Sequence, residues 1–137
     1  LRRESLGPDE VVEYILKARQ LEQWEKFFLY IDLESLLIRN RDREEKYRRL
    51  SEPDRLMMIE DFKNELKTRV VDTDIVVIPS EFEIIKTAYT PNSGTVQVLE
   101  KFRYSDYTEV KRYTYFLQKK DEIWYISNYD VRNIGTE

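Results

Sequence analysis

From Glu81 to Val131 apolar and polar residues alternate in four runs rich in Val, Ile, Thr, Tyr and Phe. Polar turns separate the runs at Pro91-Asn92-Ser93-Gly94, Ser105-Asp106-Tyr107 and Lys119-Lys120-Asp121. The pattern predicts antiparallel strands over 81–90, 95–104, 108–119 and 122–132. About eighty residues of helical periodicity precede them. Helices followed by a meander define an α+β fold, with the N-terminal helices packed on one face of a curved four-stranded antiparallel sheet. At 137 residues the chain supports one core, so a single domain over 1–137 is expected, with 1–7 as a flexible N-terminal arm.

The first helix opens at Gly7-Pro8-Asp9-Glu10, where proline suits an early helical position and carboxylates complement the dipole. Val11, Tyr14, Ile15, Ala18, Leu21, Trp24 and Phe28 continue as one apolar stripe, in one helix or in two broken near Gln20 to Gln23. Asp32 can cap a further turn through Leu33, Leu36 and Leu37. The charge run Arg39 to Arg49 spaces acids four residues before bases, as in a solvated helix rather than an anion site. Ser51 caps the next helix, whose stripe is Ile59, Phe62, Leu66 and Val70. Thr73 to Pro79 reads as a short strand or an extended connection.

Turn geometry sets the strand register. A two-residue turn at Ser105-Asp106 places Val96 opposite Tyr115, Val98 opposite Tyr113 and Glu100 opposite Lys111. A two-residue turn at Lys120-Asp121 places Leu117 opposite Trp124, Tyr115 opposite Ile126 and Tyr113 opposite Asn128. One face then carries Val96, Val98, Phe102, Tyr104, Tyr113, Tyr115, Leu117, Trp124 and Ile126, the natural seat for the helices. The other face is also apolar at Leu99, Val110, Phe116, Tyr125 and Tyr129. A half-solvated sheet alternates more cleanly than this. A homodimer through that face would cover it; the competing reading is that the N-terminal arm or a curled edge strand does so.

Composition narrows the chemistry. With 23 basic and 27 acidic residues the net charge is −4, which gives no footprint for nucleic acid. The chain has no His and no Cys, which removes His-dependent triads, thiol nucleophiles and His- or thiolate-ligated metals. It carries no Gly-rich phosphate loop, nucleophile motif or calcium-loop spacing, so neither cofactor nor metal is expected. No apolar run reaches the length of a membrane span. The chain begins at Leu1, from which an upstream signal or anchor segment is expected.

Three segments carry a family resemblance: Pro8-Asp9-Glu10-Val11-Val12 leading into a helix, the aromatic segment Trp24 to Ile31 ending at Asp32, and the closing strand Trp124-Tyr125-Ile126-Ser127-Asn128-Tyr129-Asp130-Val131. Together they resemble the nuclear transport factor 2-like superfamily, a cone-shaped α+β fold also called cystatin-like. The chain is most similar in look to its small exported bacterial members, often lipoprotein domains of undetermined function. The resemblance implies a pocket between curved sheet and helices, and an extracytoplasmic location. In the superfamily's isomerase-like and dehydratase-like enzymes that pocket holds Asp, Tyr or His. The chain departs from the His-using members, and Tyr14 lies on the first helix where the isomerase type carries a tyrosine.

Tyr14, Val98, Glu100, Tyr104, Tyr113 and Tyr115 are the candidate pocket-lining residues, and none is assigned a catalytic role. Glu100 shares the inward phase of Val96, Val98 and Phe102. A carboxylate against an apolar pocket has a raised pKa and can act as acid or base. The blander reading pairs it across the strands with Lys111, and is preferred. The tyrosines can donate hydrogen bonds to a ligand or simply fill a core. The leading expectation is a non-catalytic envelope domain binding a small apolar ligand or a protein. The alternatives are an isomerase- or dehydratase-type enzyme using Glu100 with tyrosines, and a structural assembly module. A closed, tyrosine-filled interior counts against the first two readings, the binding domain and the enzyme, whereas an open cavity with a desolvated Glu100 favours the enzyme.

Overall fold

The alternating C-terminal pattern folds into the expected four-stranded meander, antiparallel throughout, with strands consecutive in sequence lying side by side. A computed structural model describes residues 1–137. The chain divides into two compact units, one of residues 1–31 with 78–137 and one of residues 32–77.

The first unit holds α1 (Pro8–Gln20), α2 (Trp24–Phe28), β1 (Glu81–Tyr89), β2 (Ser93–Arg103), β3 (Thr108–Lys120) and β4 (Ile123–Thr136). Pro8 sits in the first turn of α1, and the Glu10 carboxylate accepts the Gly7 N–H at 2.9 Å, satisfying a donor the helix leaves open. Val11, Val12, Ile15 and Leu16 are fully buried. The helix stops where Glu22 turns left-handed at φ 54° and the Gln23 N–H returns to the Ala18 carbonyl at 2.9 Å. The stripe is therefore split, and α2 resumes it with Trp24 edge-on to Phe27 and Phe27 edge-on to Phe28. Val96, Val98, Tyr113, Tyr115, Leu117 and Ile126 are buried on one sheet face, as alternation requires. The arm is tied down: Arg3 Nε donates to the Leu29 carbonyl at 2.7 Å, and the Glu4 N–H donates to the Tyr30 hydroxyl at 2.7 Å.

The β2–β3 register is the expected one, with Val96 opposite Tyr115, Val98 opposite Tyr113 and Glu100 opposite Lys111. The β3–β4 register is not. Lys119 faces Trp124, Leu117 faces Ile126 and Tyr113 faces Val131. The turn is Asp121-Glu122, both left-handed at φ 49° and 67°, the pair a type I′ hairpin needs. Moving the turn by one position shifts the pairing by two, so Trp124 and Ile126 keep their buried face. A bulge then reverses the phase, because Phe116 pairs with Asn128 while Leu117 pairs with Ile126. Tyr129 is thereby turned to the core side, only 4% exposed, and leaves the outer face assigned to it. Tyr104 also departs from expectation. It lies past the end of β2, half-exposed, stacked on Tyr107 with centroids 5.0 Å apart. At the first hairpin Gly94 is required by contact: a Cβ there would sit 2.9 Å from the Tyr89 Cβ.

The second unit holds α3 (Leu33–Leu37), α4 (Arg41–Arg48), α5 (Glu52–Lys67) and a 3₁₀ turn at Thr73–Ile75 where a strand or extended connection was expected. Asp32 caps α3 through the Ser35 N–H at 3.1 Å, and Ser51 accepts the Asp54 N–H at the start of α5. In α4 the Glu44–Arg48 pair closes at 3.2 Å on the solvated face. Phe62 and Leu66 are buried as predicted, but α5 ends at Lys67 and Val70 is exposed. Left-handed Arg69, φ 59°, directs the Val70 N–H back to Glu65, which takes Val70 off the stripe. Arg43 knits the unit together. It donates to the Leu36 and Leu37 carbonyls, pairs with Asp72 at 2.9 Å and lies 4.6 Å over the Phe62 ring.

A left-handed position disfavours glutamate, whose ion pair with Lys119 at 3.5 Å is solvent-exposed on the Glu122 side, whereas Asp-Gly is among the preferred type I′ pairs. Glu122→Gly should therefore stabilise the protein by about 0.5–1 kcal/mol, seen as a higher urea midpoint at unchanged slope. An unchanged or lower midpoint would contradict the assigned turn.

Candidate functional site

The inward phase of α1 places an arginine, Arg19, one turn after Ile15 and next to Ala18, on its buried side. Arginine stays protonated in proteins, so a buried one needs an anion and several acceptors. Glu100 supplies them from β2. Arg19 Nη2 donates to Glu100 Oε1 at 2.6 Å and Nη1 donates to the Tyr115 hydroxyl at 3.1 Å. Tyr115 in turn donates to Glu100 Oε2 at 2.5 Å. The guanidinium also lies 5.4 Å from the Tyr113 ring centroid, and Tyr113 stacks on Tyr115 at 5.7 Å. Arg19, Glu100, Tyr113 and Tyr115 all have 0% exposure. No buried side-chain nitrogen or oxygen in the chain is left without a partner.

Burial pushes the Glu100 carboxyl up from its ordinary value, while the charge of Arg19 and the hydrogen bonds from Tyr115 and Arg19 pull it back. For Arg19 burial works to lower the pKa, but Glu100 and the two tyrosines outweigh it, so the guanidinium is held protonated more firmly. Tyr115 is raised well above an ordinary tyrosine, by burial first and the Glu100 charge second.

Four of the candidate pocket residues, Val98, Glu100, Tyr113 and Tyr115, thus belong to the closed interior of the first unit. Tyr14 lies apart from the network, edge-on to Tyr30 at 5.2 Å, with its pKa raised by burial and then by Tyr30 and Glu4. Tyr104 is outside altogether. Lys111 stands opposite Glu100 in the ladder, but its ammonium lies 3.6 Å from Glu109 and over the Phe102 ring. Arg19 is the residue the sequence reading missed. Its signal was a strong cation one turn after Ile15 on an apolar stripe, which demands a carboxylate facing it. On the outer face Leu99, Val110 and Tyr125 are half-buried, Phe116 is 38% exposed, and Arg3 lies 5.4 Å over the Tyr125 ring. With both oxygens engaged and no exposed surface, Glu100 can clamp α1 onto the sheet; it offers nothing to a molecule outside.

Residues 9–137 match the family model of the flagellar collar protein C, C-terminal domain. The chain belongs to that family. No curated protein matches it. Among solved structures, a SEC-C motif-containing protein from Rhodopseudomonas palustris is similar at TM-score 0.56 and 14% identity, covering 93% of this chain and 80% of that one. A putative NTF2-like transpeptidase from Campylobacter jejuni is similar at TM-score 0.53 and 15% identity, covering 88% of this chain and 97% of that one. At such identities the likeness carries the fold, and the fold of this collar-protein domain is NTF2-like. No helix is long and apolar enough to cross a membrane.

The raised Glu100 pKa fixes a pH sign. The folded carboxyl holds its proton more tightly than an unfolded glutamate, so this group favours the fold below the ordinary glutamate value. That contribution is lost as pH rises through the folded pKa. Carbon-detected NMR should therefore find the Glu100 midpoint above the reference of about 4.3. A midpoint at or below it would contradict the balance of burial over pairing.

Proposed function

We propose that this domain is a non-catalytic assembly module of a flagellar collar, binding protein partners in the bacterial cell envelope. The observation that carries the reading is the family match over residues 9–137. The interior supports it. A pocket enzyme of the isomerase or dehydratase kind needs its carboxylate within reach of substrate. Here Arg19 occupies the place in front of Glu100, and Tyr115 takes the other oxygen. A small apolar ligand would need room beside Tyr113 and Tyr115, whose rings are stacked and fully buried. An extracytoplasmic site is part of the same proposal, in keeping with a collar in the envelope.

Deleting the segment that encodes residues 9–137 in the native bacterium should remove or distort collar density in electron tomograms of the flagellar motor. Tyr115→Phe, which removes one hydroxyl from the interior, should leave the collar and motility intact. A normal collar after the deletion would contradict the assembly role. A folded Tyr115→Phe protein that abolishes function would favour the enzyme instead.

A further inference from the structure

β1 is an edge strand, and its free side carries no backbone hydrogen bond to any other segment. Such an edge is a ready template for another strand. Its second half is exposed from Ile85 to Tyr89, with Ile85 43% exposed. Glu83 and Lys86 flank that isoleucine, and neither has an ion-pair partner within the chain, whereas nearby Glu81 is held by Arg103 at 2.9 Å.

A bulge separates the two halves of the strand, since Ile84 pairs with Val98 while Lys86 pairs with Gln97. Side chains of a regular strand alternate, so Glu83 and Lys86 would point to opposite faces. The extra residue brings them to the same face, together with Glu81 and Ala88, while Phe82 and Thr87 share the other. A bulge at an edge commonly discourages pairing. This one restricts it to a register in which the faces agree.

We propose that β1 pairs antiparallel with β1 of a second copy of this chain, about a two-fold axis between Ile84 and Ile85. Glu83 of each copy then faces Lys86 of the other, Phe82 faces Thr87, and Glu81 faces Ala88. The isoleucines meet at the axis, and the sheets join into one that runs through both copies. The contact is isologous, as a closed dimer requires, and the two unpartnered charges satisfy each other twice. This deepens the assembly reading and rests on it for its purpose, by naming a second copy as one partner.

Sedimentation of the purified protein at tens of micromolar should show a dimer. Glu83→Lys or Lys86→Glu alone sets like charges opposite each other twice and should raise the dimer Kd at least about tenfold. The double variant Glu83→Lys/Lys86→Glu restores opposite charges and should recover the dimer. These side chains are exposed, so circular dichroism should be unchanged. A monomeric wild type, single variants with wild-type Kd, or a double variant no better than the singles would overturn the pairing. So would a dimer that Phe116→Lys dissociates and these reversals do not. A monomer in solution whose deletion still removes the collar would overturn the edge pairing and leave the assembly reading standing.

Discussion

A guanidinium with no access to water sets the terms for the first unit. Arg19 cannot shed its charge, so the fold must hold a carboxylate and further acceptors at one place on the sheet. Glu100 and Tyr115 meet that demand from adjacent strands, and Tyr113 offers a ring face. Burial of apolar surface between α1 and the sheet is non-directional, whereas the bonds at Arg19 are directed. The network therefore fixes how α1 sits on β2 and β3. Such pairs add little net stability over a well-packed apolar equivalent, so their effect lies in specifying one arrangement.

The same residues decide what the interior can do. A buried acid can act on a molecule only where space is left in front of it, and here Arg19 from α1 lies against Glu100. Glu100 has the raised carboxyl expected of a buried acid, yet the cause is burial opposed by its own partners. A perturbed pKa marks a functional carboxylate only when something can reach it. On the first unit, the second half of β1 and Phe116 on the outer sheet face stay exposed.

Much of this was legible in the chain. The cap at Pro8 to Glu10, the capping Asp32 and Ser51, and the β2–β3 register follow from turn chemistry and alternation alone. The β3–β4 register was not legible, because Lys119-Lys120-Asp121-Glu122 contains no glycine to mark which two residues take positive φ. The bulge beside Phe116 is likewise invisible to a period-two reading, and it alone moves Tyr129 from the outer face to the core. Glu100 was found by its phase, but its partner was sought across the ladder, at Lys111. A helix descending on that face offered a closer cation, and only a three-dimensional reading of the α1 stripe brings Arg19 to it.

The most direct test of this account is a double-mutant cycle at the buried pair, using Arg19→Met, Glu100→Leu and the two together, followed by urea unfolding. Either single change strands one buried charge and should cost about 3–5 kcal/mol, while the double change should recover most of that loss. Small single effects, or losses that simply add, would mean that the pair does not hold α1 to the sheet.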